Sequence, residues 1–139
     1  YAEKLLQRAA DTARRCDAVV FINAYRKTKT GLRNTTYAFD RNGHEIGHYY
    51  KQHLTPGETL ERKLDSDYSF EFSEPTIIEI DGLRYGFLTC YDFYFYESFA
   101  KLAHYKPDII IGCSHQRTDS HQALEMMTPL ISGLSRISW

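Results

Sequence analysis

The stretch Leu83-Arg84-Tyr85-Gly86-Phe87-Leu88-Thr89-Cys90-Tyr91-Asp92-Phe93-Tyr94-Phe95-Tyr96-Glu97 decides the fold. Its first half, Leu83 to Thr89, is rich in aromatic and aliphatic residues and reads as a strand ending at Cys90. From Tyr94 to Tyr105 the period changes: Phe95, Phe99 and Leu102 fall on one face of a helix. Pro107-Asp108 then restarts the chain into Ile109-Ile110-Ile111-Gly112, a short buried strand. A strand, a helix and a second strand in that order indicate an α/β architecture. Upstream, Thr76 to Ile80 and Leu83 to Thr89 flank Asp81-Gly82, a pair suited to the primed turn of a hairpin.

Working outward, a second hairpin joins Asn34 to Asp40 with Glu45 to Tyr50 across Arg41-Asn42-Gly43-His44, and Asn-Gly predicts another primed turn. Residues 54–74, broken by Pro56-Gly57 and dominated by charge, read as a loop. Residues 25–33 read as a connection or a strand end. Before them, Ala18-Val19-Val20-Phe21-Ile22-Asn23-Ala24 has the near-continuous apolar character of a buried strand. Residues 1–15 carry Ala2, Leu5, Leu6, Ala9, Ala10 and Ala13 on one helical stripe. At the far end, Ala123, Met126, Met127, Leu130, Ile131 and Leu134 form another stripe, and Thr128-Pro129 suits a helix start there. Hairpins mixed with strand–helix–strand connections imply a mixed sheet covered by helices.

The 139 residues carry 17 basic and 18 acidic side chains, a net charge of −1, so no large cationic field exists to hold nucleic acid or an anionic membrane. No apolar run approaches the roughly 20 residues of a membrane-spanning helix. Three cysteines make a disulfide framework an unsuitable reading and fit a reducing, cytoplasmic setting. The opening helix has no cap before it and the chain stops on Trp139; both ends read as cut.

Cys90 lies where strand gives way to helix. A nucleophile on such a turn stands exposed above the sheet edge, and the following helix start favours a thiolate and a developing oxyanion. The competing reading is a buried, inert cysteine. Lys51, at the end of the Glu45–Tyr50 strand, reads by itself as a solvated edge charge.

Together these two positions carry a resemblance. Gly47-His48-Tyr49-Tyr50-Lys51-Gln52-His53-Leu54 resembles the lysine motif of the nitrilase, or carbon–nitrogen hydrolase, superfamily, G-x-Y-x-K-x-H-L. Gly86-Phe87-Leu88-Thr89-Cys90-Tyr91-Asp92-Phe93-Tyr94-Phe95-Tyr96-Glu97 resembles its cysteine motif, with Tyr96 in place of the usual proline. Tyr50 replaces an arginine common before the lysine. Asn34-Thr35-Thr36-Tyr37 with Asp40-Arg41-Asn42-Gly43 is similar to the hairpin before the family lysine, and Pro107 to Ile111 to the strand after the cysteine helix. The likeness runs from about residue 15 to 112, in the family's order.

The resemblance implies an α-β-β-α sandwich of mixed sheets flanked by helices, here incomplete at both ends. Residues 1–139 would then be part of a carbon–nitrogen hydrolase domain, with the catalytic Lys and Cys segments present and the N-terminal Glu segment and C-terminal part absent. It implies an amidase-type Glu–Lys–Cys triad acting on a small amide, carbamoyl or nitrile substrate through an acyl-enzyme. Cys90 would be the nucleophile. Lys51 and the backbone N–H of Tyr91 would hold the oxyanion. Glu58, ahead of Glu61, would position substrate, against the reading of both as solvated loop charges. Glu3 and Glu45, the glutamates before Lys51, lack the Pro-Glu strand context of the family base. Asp92 and Glu97 read as structural. The aromatic cluster Phe93–Tyr96 suits either core or the interface of a homo-oligomer, a dimer or higher. Cys113, His115 and His121 follow the last strand, near where substrate-pocket residues would lie. A Cys113/His115 pair would suit a cysteine hydrolase of another kind or a metal site, but two ligands are too few for a structural zinc, so neither metal nor cofactor is expected. Two other readings stay open: an inactive family member that binds a partner, and an acyltransferase using the same triad.

Overall fold

A computed structural model describes residues 2–65 and 76–114. The chain runs α1 (Ala2–Cys16), β1 (Val20–Lys27), β2 (Leu32–Phe39), β3 (Glu45–Tyr50), a π-helical turn (Gly57–Glu61), β4 (Ile77–Ile80), β5 (Leu83–Thr89), a 3-10 helix (Cys90–Tyr94), α2 (Tyr96–Tyr105) and β6 (Ile109–Cys113). The stripe over residues 123–134, with its Thr128-Pro129 start, lies outside the described residues, as do His115 and His121.

Two three-stranded sheets form, β1-β2-β3 and β4-β5-β6. The first is wholly antiparallel. In the second, β4 and β5 form a hairpin, while β5 and β6 run parallel because α2 crosses between them.

Three hydrophobic clusters define four layers. Ala9, Ala10 and Ala13 of α1 meet Tyr37 and Phe39 on one face of the first sheet. Small alanines on that stripe let the helix approach closely. Ala38 and Tyr49 on the other face meet Ile78, Ile80, Tyr85 and Phe87 of the second sheet, joined by Phe21 and Ile111. Leu88 then packs beneath Phe99 and Leu102 of α2. Tyr37 and Phe39 face the helix while Ala38 between them faces the second sheet, which is the period-2 pleat at work. The result is the α-β-β-α sandwich. Gly86 belongs to the last interface: a Cβ there would stand 2.9 Å from Leu102 and 3.2 Å from Pro107, so the bare backbone lets α2 sit down on β5.

The strands depart from the sequence reading in two places. β1 continues to Lys27 and β2 begins at Leu32, so most of the polar stretch 25–33 is a hairpin closed by Thr28 N–H donating to the Gly31 carbonyl at 2.7 Å. Lys and Arg are accommodated because β1 is the outer strand of its sheet among the described residues and is only half-buried. The two Gly turns also differ. Asp81 and Gly82 both have positive φ, +54° and +77°, as a primed turn requires. At Asn42-Gly43 only Gly43 does, at +75°, and the register shifts between Ala38 and Phe39. That turn is a longer one, with Gly43 N–H donating to the Asp40 carbonyl at 2.9 Å. Its glycine also lies against α1, where a Cβ would come within 2.5 Å of the Ala10 carbonyl oxygen.

Candidate active site

The pleat that places Phe21, Ala38, Tyr49 and Phe87 between the sheets also places Asn23, Thr36, Lys51 and Thr89 there, two residues further along each strand toward the same edge. At that edge a cavity of about 1100 Å³ opens, lined among others by Asn23, Asn34, Lys51, Glu58, Thr89 and Cys90. Lys51 and Cys90, 39 positions apart in the chain, thus face one space. Tyr25, Glu61, Arg62 and Cys113 also line it.

Cys90 is half-buried and holds φ at +51°. A side chain in the left-handed region costs roughly 1–2 kcal/mol, and such strain concentrates at functional turns. The sharp reversal starts the 3-10 helix directly on β5. Tyr91 follows in its first turn, where backbone N–H groups have no intrahelical acceptor; its ring meets Tyr94 and, edge-on, Phe95.

Asp92 fixes this elbow. Its carboxylate is fully buried. Oδ2 accepts from the Thr89 backbone N–H at 2.9 Å and the Tyr49 hydroxyl at 2.8 Å. Oδ1 accepts from the His53 backbone N–H at 2.8 Å and lies 3.0 Å from its Nδ1. One side chain therefore ties the cysteine turn to the segment just after Lys51. His53 also stacks on Phe95, ring centroids 3.8 Å apart. Of the aromatic cluster, Phe93 packs beside Leu88 and Phe99, whereas Tyr94 and Tyr96 are exposed. Glu97 is exposed as well.

Lys51 is not a solvated edge charge: it is 2% exposed, with its Nζ donating to Glu58 Oε2 at 2.6 Å. Glu58 is 5% exposed. The same Oε2 accepts from the backbone N–H and hydroxyl of Thr55, at 2.9 and 3.1 Å, and Oε1 accepts from Asn34 Nδ2 at 2.8 Å. Burial pushes the Glu58 carboxyl up, but the donors Lys51, Thr55 and Asn34 outweigh it and hold the group below its ordinary value. The π-helical turn is what aims Glu58 inward, while Glu61 on the same turn stays exposed. The segment carrying Glu58 is anchored beyond the turn by Asp65, whose carboxylate meets the buried Arg33 guanidinium at 3.0 Å and whose N–H donates to the Leu32 carbonyl at 2.8 Å.

Glu3 is exposed on α1, and Glu45 is engaged by Arg26 at 2.7 Å. Neither is among the residues lining the cavity. Sequence reasoning passed over Asn23 and Asn34. A signal existed for the first: a lone amide inside Val19-Val20-Phe21-Ile22-Asn23-Ala24 must find partners if that strand is buried. No helix among the described residues is long and apolar enough to cross a membrane.

The arrangement sets a cysteine turn in the left-handed region and a buried lysine on one cavity. The chain is similar in structure to a carbon-nitrogen hydrolase from Helicobacter pylori G27, with a TM-score of 0.72 and 18% identity over 98% of this chain and 47% of that one. It is similar to an amidase from Nesterenkonia sp. AN1, solved with acrylamide added at the active site cysteine, with a TM-score of 0.77 and 17% identity over 93% of this chain and 49% of that one. It is also similar to a glutamine-dependent NAD+ synthetase from Acinetobacter baumannii, with a TM-score of 0.70 and 17% identity over 95% of this chain and 25% of that one. The chain spans about half the length of the first two. These likenesses establish the fold. No curated protein sequence matches the chain. The family model described as carbon-nitrogen hydrolase matches residues 1–136, nearly the whole sequence. The chain belongs to the carbon-nitrogen hydrolase family.

Proposed function

We propose that this chain supplies the nucleophile and the oxyanion-stabilising cation of an enzyme that hydrolyses small amides. The observation that carries the reading is the buried Lys51–Glu58 pair opening on the same cavity as a cysteine held at φ +51°. Cys90 Sγ, as thiolate, attacks the substrate carbonyl carbon. The negative charge that collects on the carbonyl oxygen is met by the Lys51 ammonium and the Tyr91 backbone N–H. Collapse expels the amine, which takes up a proton, and leaves a thioester on Cys90. Water then attacks the thioester and releases the acid. Glu58 keeps the ammonium in place and offers its edge of the cavity to the substrate. The base that takes protons from thiol and water is, on the family resemblance, a glutamate in a Pro-Glu strand outside residues 1–139; Glu3 and Glu45 are not among the residues lining the cavity. On this reading the sequence forms part of a longer hydrolase domain. Nitriles and carbamoyl amines are substrates of the same electrophilic kind. A reducing, cytoplasmic setting suits the thiolate, and the exposed Tyr94 and Tyr96 at the start of α2 offer a surface for pairing two copies.

The test is a panel of ω-amides, carbamoyl amines and nitriles given to the full-length protein. One class is turned over, and Cys90→Ala abolishes that turnover, by roughly a millionfold on the scale of lost covalent nucleophiles. Undiminished turnover by the Ala variant overturns the assignment. Absence of turnover of every class by the wild-type protein favours a non-catalytic binding role. The isolated 139-residue chain is expected to be inactive, and turnover by it would show that the base lies within it.

A further inference from the structure

Behind Glu58 lies a chain of side-chain amides and hydroxyls reaching from one sheet to the other. Asn34 Nδ2 donates to Glu58 Oε1 at 2.8 Å. Asn34 Oδ1 accepts from Asn23 Nδ2 at 2.8 Å, and the same Asn23 nitrogen lies 3.1 Å from Thr36 Oγ1. The Thr36 hydroxyl is 3.3 Å from that of Thr89, the residue before Cys90. In the β1–β2 ladder Asn23 stands opposite Thr36 and Tyr25 opposite Asn34, so the three polar side chains share the inter-sheet face.

The polarity of this chain is fixed from one end. An ionised carboxylate only accepts, so Asn34 must turn its NH2 toward Glu58. Its carbonyl oxygen then faces Asn23 and requires a donor, which Asn23 supplies with one N–H while the other reaches Thr36. A carboxylate that also receives Lys51 and both Thr55 donors on Oε2 is thereby held on its second oxygen too, and cannot swing away from the ammonium.

We propose that Asn34 and Asn23 are positioning residues of the hydrolytic site: Asn34 locks the Glu58 carboxylate against Lys51, and Asn23 locks the orientation of the Asn34 amide. The inference rests on the roles proposed above for Cys90 and Lys51. Asn23 touches neither Glu58 nor Lys51 among the described contacts, so its effect is transmitted through Asn34.

The experiment measures kcat and KM of the full-length enzyme carrying Asn23→Asp, Asn23→Ala, Asn34→Ala and the double Asn23→Ala/Asn34→Ala, with Cys90→Ala as control. Asn23→Asp puts an acceptor against Asn34 Oδ1 and favours the flipped amide, which points oxygen at oxygen across to Glu58. It is expected to lower kcat by about tenfold to a hundredfold, the scale of one hydrogen bond to a charged group, with a smaller change in KM. Asn23→Ala lowers kcat less, and the double variant falls no further than Asn34→Ala, because the two act as one unit. Cooperative melting of each variant shows that it is folded; should Asn23→Asp lose it, Asn23→Ala carries the test. Folded Asn23 variants at wild-type kcat, or losses that add in full in the double variant, overturn the proposal while Cys90→Ala remains inactive. Turnover surviving in Cys90→Ala overturns the site assignment itself, and this proposal with it.

Discussion

The space between the two sheets has a dry end and a polar end, built from the same strand faces. At the dry end Phe21, Ala38, Tyr49 and Phe87 pack with Ile78, Ile80 and Tyr85, and Phe21 meets the Tyr85 and Phe87 rings at 5.1 and 5.7 Å between centroids. One pleat further along, the corresponding positions are Asn23, Thr36, Lys51 and Thr89, and the partners become hydrogen bonds instead of van der Waals contacts. The dry end gains stability from apolar burial. The polar end pays in desolvation for an ammonium, a carboxylate and two amides, and that cost is offset only because every member is paired. The strands therefore carry the frame of the site: the dry half fixes the register, the pleat brings Asn23, Thr36 and Thr89 to the open edge, and the segments that leave β3 and β5 there add Lys51, Glu58 and Cys90.

Phe87→Ala should show the largest effect on stability. It removes a buried ring touching both sheets, which costs about 3–5 kcal/mol, read as a lowered urea midpoint of the full-length protein. The kcat per folded molecule should stay near wild type. A kcat that falls in step with stability would erase the division between the two ends.

At the polar end, Lys51→Met leaves Glu58 buried without its cation and is expected to cost about 3 kcal/mol or more, together with activity. The double variant Lys51→Met/Glu58→Leu removes the charge from both sides. It should recover most of the lost stability and none of the activity. A double variant as unstable as the sum of its singles would mean that the pair, like the dry end, is held for stability.

How much of this was legible in the sequence follows the same division. The layers follow from composition and period: the apolar runs Thr76–Ile80 and Leu83–Thr89 and the helical stripe over residues 1–15 place them correctly, while the second helix begins at Tyr96 rather than Tyr94, because residues 90–94 form a 3-10 helix and Phe95 is extended. Cys90 and Lys51 were legible as motif positions. That Lys51 is buried was not, since its counter-ion sits seven residues on, in a charged stretch with no helical or strand period, and reaches it only through a π-helical turn. Glu58 and Glu61 look alike as letters and differ only in which way that turn points them. Asn23 was visible as a polar break in an apolar run, but its partner Asn34 lies across a hairpin whose extent the Lys- and Arg-rich residues 25–33 obscured. The difference between the Asp81-Gly82 and Asn42-Gly43 turns was hidden for another reason: α1 packs on the latter, a tertiary contact that overrides local turn preference.

Acid should separate the two ends more gently. Glu58 has a folded pKa below its ordinary value of 4.5, held there by Lys51, Thr55 and Asn34 against the effect of burial. A depressed carboxyl pKa contributes stability that is complete above the ordinary value and is lost as pH falls toward the folded one. As pH falls through and below the ordinary carboxyl value of 4.5, the wild-type urea midpoint should therefore drop more steeply than that of Glu58→Gln, which has no carboxyl to protonate. Parallel curves would show that Glu58 does not draw stability from its donors.

The smallest effect tests the hinge between the ends, where β5 leaves the dry core and turns at Cys90. With φ at +51°, any side chain with a Cβ bears a left-handed penalty there that glycine does not. Cys90→Ala and Cys90→Gly both remove the thiol, so they are equally inactive on the proposed mechanism, and their activity cannot distinguish them. Their stability can. If the elbow is strained as the backbone indicates, the Gly variant gains about 1 kcal/mol from relief of the left-handed conformation, less the greater freedom of glycine in the unfolded chain. Thermal melts of the two full-length variants should place Gly level with or above Ala, the reverse of their order in an ordinary strand or helix. Ala clearly above Gly would mean that the turn relaxes out of the left-handed region, and that the dry end does not hold the nucleophile in a costly pose.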